Sequence, residues 1–314
     1  MSWPLAASRW RLAAGYWLLF TAHCSLFTDY FPMTWLLEPL QYSFILRGLL
    51  ASLIVGIVCP VVGTYIVLRG MSFLGDALSH AILPGVVIAF FIGWPLAIGA
   101  LIAGLGTALA IGFVTERGQV KEDTAIGVLF AGMFALGIAL LSTRRDYSVD
   151  LTHILFGNLL GVAPTDLLIS TGLGLGVLLT VFIFYKEFMV ISFDPLLATT
   201  LRIPLRFFRY LLLVLLAVTI VVALQTVGVT LMLAMLVTPA AAAYQLTNRL
   251  HWMMIVAAAI GAFSGLTGLY LSYYANIASG PAVVLVATFI FVLVFLFAPG
   301  KGLIWTRRAW SPVS

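Results

Sequence analysis

The sequence predicts an all-α fold, a polytopic membrane helical bundle of about nine core transmembrane helices preceded by an extra N-terminal helix. Three observations carry this. The 314 residues are 63% hydrophobic and only 9% charged, with a mean hydropathy of +1.15, whereas soluble domains hold roughly 45–50% apolar and about 25% charged residues. Apolar runs near the ~20 residues that a membrane-crossing helix needs recur along the chain with short breaks between them. Nowhere do polar and apolar residues alternate over the roughly ten-residue stretches that a transmembrane β-barrel requires. A soluble globular protein is therefore excluded. The two cysteines, Cys24 and Cys59, cannot build a disulfide framework, and a dispersed net charge of +5 does not suggest nucleic acid.

From the N-terminus, the apolar run 12–28 follows Arg9 and Arg11. Thr21–Cys24 offers no convincing small-residue cleavage site, so the run is read as a membrane helix rather than a secretory signal. Core spans follow at 44–68, 74–92, 94–115, 124–142, 165–185, 208–226, 227–245, 252–272 and 281–298. With the N-terminus cytoplasmic, thirteen of the sixteen Lys and Arg residues fall inside, and only Arg47, Arg144 and Arg145 fall outside. The positive-inside rule thus sets both termini in the cytoplasm.

Two connections are longer than the rest. The outer one, 143–164, holds the half-apolar segment His153–Asn158 and is expected to lie along or dip into the membrane surface. The inner one, 186–207, carries Asp194-Pro195 at one end and Pro204 at the other, which delimit a short helix of about two turns. With Ala198, Leu201 and Arg202 between them, this helix is either a solvated connector or a docking element for a partner.

Ionisable side chains within spans are costly, at roughly 2.5–3.5 kcal/mol on insertion scales, and so mark function. The outstanding pair is Asp76 and His80. At i and i+4 they share one helix face, and a carboxylate oxygen with an imidazole nitrogen can bind a divalent ion such as manganese, iron or zinc. The plain alternative is an Asp that caps a helix start and a His bonded within the core. Lys121–Thr124 opens a span with acidic residues that suit the helix dipole. Thr238-Pro239 lies inside a span, where proline frees a carbonyl and makes a hinge or a cavity wall. Glycines 172, 174 and 176 permit close helix contact. The chain has no phosphate-binding loop and no His-Glu-x-x-His motif, so it is not expected to be an enzyme.

Several blocks together resemble the signature of permeases from bacterial ABC importers of manganese, zinc and iron. They are Leu68–Ala81 (LRGMSFLGDALSHA), Lys121–Val128 (KEDTAIGV), His153–Asn158 (HILFGN), Val227–Leu231 (VGVTL) and Thr238–Ala241 (TPAA), in the family's order. The resemblance delimits a permease domain over 38–303, an N-terminal extension over 1–37 that departs from the family pattern, and a cytoplasmic tail over 304–314. It implies a bacterial inner-membrane protein in which two permease chains surround a central pathway. Two cytoplasmic ATP-binding subunits drive it, and an extracellular or periplasmic binding protein delivers the metal. No cofactor is implied for this chain beyond the transported ion. Asp76 and His80 then match the family's intramembrane metal site, and the 194–204 segment, with Asp194, Pro195, Ala198, Leu201, Arg202 and Pro204, its ATPase-coupling helix. Ser79–Ala81 with Leu83–Gly85 looks closer to the manganese and iron branch than to the zinc branch, and manganese is the favoured cargo. A proton-coupled transporter using the same Asp–His pair and a non-transporting scaffold are the other classes open to this sequence.

Overall fold

The computed structural model describes residues 38–118, 120–143, 159–299 and 302. The segment 12–28, the motif 153–158 and the tail 304–314 lie outside the described residues. The chain divides into two units, 1–46 and 47–314. The described part of the first is a 3-10 turn, Pro39–Gln41, and the first residues of a long helix.

That helix, α1, runs Ser43–Arg69. It is followed by α2 (Leu74–Ala81), α3 (Leu83–Ile92), α4 (Leu96–Arg117) and α5 (Glu122–Ser142). After a 3-10 turn at Leu159–Gly161 come α6 (Pro164–Ile183), α7 (Tyr185–Phe193), the short α8 (Pro195–Thr200) and α9 (Leu205–Val227). The last three are α10 (Val229–Leu246), α11 (Leu250–Ala275) and α12 (Ser279–Phe297). No strand occurs among the described residues. Among them, nine helical segments are long and apolar enough to cross a membrane, α2 and α3 counting together as one. These are the nine core spans expected from the apolar runs, and the chain is a multi-pass membrane protein.

The core of the 47–314 unit is α9, which packs on α2, α4, α6, α7 and α10. It buries Leu212, Leu213, Leu216, Ile220 and Val221, all of them apolar, as befits a helix enclosed on every side. By contrast α5 and α12 have only 17% of their most apolar window buried, so their outer faces suit contact with lipid. Buried hydroxyls bond back within their own helices: Ser52 Oγ donates to the Leu49 carbonyl at 2.9 Å, Thr107 Oγ1 to Ala103 at 2.8 Å and Thr219 Oγ1 to Leu215 at 2.7 Å. In a hydrocarbon setting a polar group left without a partner is costly.

The span expected as one helix over 74–92 is broken at Ile82. Pro84 has no N–H to offer the carbonyl of His80, its i−4 partner in a continuous helix. α2 therefore ends at Ala81, and α3 starts afresh with Pro84 in its first turn. In α10 the outcome differs, because the helix runs through Pro239 without interruption.

Contact between helices here depends on absent side chains. Gly85 of α3 and Gly99 of α4 meet backbone to backbone, and a Cβ on either would clash with the other's carbonyl. Gly106, also on α4, has open space around it. Gly85→Val should therefore force α3 from α4, costing roughly 1–3 kcal/mol as overpacking does. The expected outcome is a melting temperature several degrees lower in detergent, with Gly106→Val melting as wild type does.

Candidate functional site

Helix α2 brings the candidate residues together. It buries Leu74, Gly75, Ala77, Leu78, Ser79 and Ala81 against its neighbours, which leaves Asp76 and His80 on the remaining face. His80 Nε2 stands 3.5 Å from Asp76 Oδ1, with the side chains 28% and 37% exposed respectively. Asp76 does not cap the helix, since α2 begins at Leu74 after Phe73 and no side chain caps it. Its carboxylate is thus available to other partners. Ser79 Oγ donates to the Asp76 backbone carbonyl at 2.7 Å. The acid in the first turn and the imidazole in the last both suit the helix dipole.

The two donors offer one oxygen and one nitrogen, part of a divalent ion's coordination sphere. Among the described residues no set of three or more His, Cys, Asp or Glu is grouped to hold a metal. The remaining positions would fall to water or to groups outside this set. Two phenylalanines of α5 border the imidazole, with ring centroids at 5.6 Å (Phe134) and 6.0 Å (Phe130). Thr238 and Pro239 lie one turn or less beyond Leu236 on α10, and Leu233 and Leu236 of that helix pack toward Gly75 at the start of α2. Pro239 is buried and Thr238 half-buried.

The inner segment is shorter and more definite than the expected two-turn helix over 194–204. Asp194 caps α8, its Oδ1 accepting from the N–H groups of Leu196 at 2.9 Å and Leu197 at 3.0 Å. Ala198 is buried, while Leu196 (79% exposed), Leu197 and Leu201 point outward. The helix closes at Thr200 because the backbone reverses: Arg202 N–H bonds the Thr199 carbonyl at 3.2 Å and Ile203 N–H bonds Ala198 at 3.0 Å. This is a Schellman closure, whose left-handed position usually holds glycine. Here Arg202 occupies it at φ 57°. Pro204 then caps α9.

One polar cluster was not foreseen from the sequence. Arg206 of α9 forms an ion pair with Glu116 at the end of α4, and the Tyr210 hydroxyl donates to Glu116 Oε2 at 3.0 Å. The signal was present, since an acid in the last turn of a helix opposes the dipole and calls for a cation. Gly112 admits the Tyr210 ring beside α4.

The cap and the left-handed arginine predict opposite effects on α8. Asp194→Ala removes a cap worth ~1 kcal/mol and should speed amide exchange at Leu196 and Leu197 by roughly 5-fold. Arg202→Gly relieves the left-handed residue and should slow exchange across 196–203. Amide hydrogen exchange read by mass spectrometry on the purified protein checks both.

Residues 41–298 match the ABC 3 transport family. The chain is 51% identical over 271 residues to the manganese transport system membrane protein MntC of Halalkalibacterium halodurans, covering 86% of this chain and 92% of that protein. It is 41% identical over 260 residues to the chelated iron transport system membrane protein YfeD of Yersinia pestis, covering 83% and 87%. Among solved structures it is similar to PsaBC from Streptococcus pneumoniae in complex with Fab. The TM-score is 0.76 at 42% identity, over 86% of this chain and 98% of that one. With one family spanning all nine candidate spans and relatives aligned over most of their length, the chain belongs to the ABC 3 transport family.

Proposed function

We propose that this chain is the permease of an ATP-driven importer that passes a divalent transition metal, manganese first, into the cytoplasm. The observation that carries the reading is the Asp76–His80 pair, set within a membrane span on a helix that ends at Ala81. Support for manganese comes from the relatives named for it in several bacteria. The iron-named relative makes ferrous iron the second reading.

In this reading the ion meets Asp76 first through charge, since a carboxylate in an apolar surrounding draws a dication. His80 supplies a nitrogen that hard ions tolerate and borderline ions prefer. Two protein ligands leave the ion releasable, and conduction requires binding weak enough to let it go. Selection among metals then rests largely with the external binding protein that hands the ion over. A second copy of this chain would complete the pathway, and two separate ATP-binding subunits would perform hydrolysis. The segment around α8, with Asp194, Pro195, Ala198, Leu201, Arg202 and Pro204, would receive their motion on the cytoplasmic side. That side is assigned by the basic residues flanking it, and both termini share it. The Thr238-Pro239 step of α10 is proposed as a wall or hinge of the same pathway.

The test is metal uptake at limiting manganese in a host lacking its own importer, with the ATPase and binding protein supplied. Asp76→Asn and His80→Ala are each expected to lower uptake at least ~10-fold at equal membrane abundance, the loss of one charge-assisted ligand contact. Unchanged uptake in both variants would overturn the site. Uptake of ferrous iron without manganese would keep the transport class and replace the cargo. Uptake that collapses with the proton gradient while ATP stays high would replace the energy source.

A further inference from the structure

We propose that Phe134 and Phe130 are positioning residues that fix the plane of the His80 imidazole, and so hold its Nε2 toward Asp76. The proposal rests on the metal reading of the Asp76–His80 pair and names what makes that pair a ligand set rather than two mobile side chains.

Helix α5 is mostly exposed, yet Ile126, Phe130, Phe134 and Gly137 fall at helical spacing on a single face. Ile126 and Gly137 are buried. The phenylalanines between them are half-buried. At Gly137 the Leu83 side chain enters so closely that a Cβ would lie 2.8 Å from Leu83 Cδ2 and Cγ. The missing side chain thus draws α5 against the break between α2 and α3. That approach sets the two aromatic rings beside His80.

The ring geometry then restrains the imidazole. Phe130 and Phe134 stack at 5.9 Å with an interplanar angle of 18°. His80 meets Phe134 edge to face at 5.6 Å and 71°, and tilts on Phe130 at 6.0 Å and 55°. Phe73, just before α2, closes the row edge-on to Phe130 at 5.9 Å and 87°. The second torsion of a histidine is broad and lacks staggered wells. An imidazole 28% exposed and free of such neighbours would turn about that bond and carry Nε2 away from Asp76. Aromatic pairs prefer offset-stacked or edge-to-face contacts by amounts equivalent to about 2- to 12-fold in an equilibrium, enough to favour one ring plane.

The experiment uses the purified permease–ATPase complex, titrated with Mn2+ alone and followed by electron paramagnetic resonance. Pulsed measurements on the bound ion report whether an imidazole nitrogen coordinates it. Wild type is expected to bind with nitrogen modulation, and His80→Ala without it. Phe134→Tyr, which keeps the ring, should match wild type. Phe134→Leu, which keeps apolar bulk without a ring, should bind ~3- to 10-fold more weakly, in keeping with the loss of one aromatic contact, and lose most of the modulation. Phe134→Leu with wild-type affinity and modulation would overturn the positioning role while leaving the metal pair intact. Wild type and His80→Ala binding alike, without nitrogen modulation, would overturn the metal pair and the clamp together.

Discussion

The carbonyl oxygen of His80 has no proline N–H to accept four residues further on, and much of the candidate site depends on that one missing donor. In water the carbonyl would be solvated at little cost. Within a membrane span a carbonyl without that donor is costly, and here α2 ends at Ala81, beside it. The result is a span made of two helices, with the candidate pair in the first and a fresh helical start after it. Leu83, the first residue after the break, projects into the space at Gly137 of α5.

Elsewhere the fold meets the same constraint by keeping polarity local. Ser52, Thr64 and Thr219 return their hydroxyls to their own helices. Charges gather at helix ends, as in the Glu116–Arg206–Tyr210 cluster that ties α4 to the start of α9. With almost every long side chain apolar, burial alone distinguishes helices poorly. What selects neighbours is how closely backbones approach, through small residues such as Gly85 and Gly99.

Much of the architecture was legible in the sequence because its signals are long. Nine apolar runs, punctuated by basic or proline-rich connections, fall on the nine spans within a few residues. The Asp76–His80 pair was legible too, since i and i+4 share a helix face whatever surrounds them. The break at Ile82 was not read, although Pro84 stood in plain view, because proline both starts and interrupts helices: it begins α3 here and is absorbed without interruption at Pro239. The aromatic face of α5 was hidden for another reason. In a helix apolar all round, Phe130 and Phe134 carry no periodic contrast, and only packing reveals which face they share. Arg202 gave no sign at all, since a left-handed residue is read from sequence mainly as glycine or asparagine.

Arg202 also governs the phase of the next helix. Each residue added to an α-helix advances it about 1.5 Å and turns it by about 100°. Its left-handed backbone ends α8 after six residues and so sets the azimuth at which Pro204 releases the chain into α9. A right-handed residue 202 would lose that closure and turn the chain's approach to α9, whose apolar window is 67% buried. The handedness of one exposed residue thereby bears on the direction from which the chain enters α9.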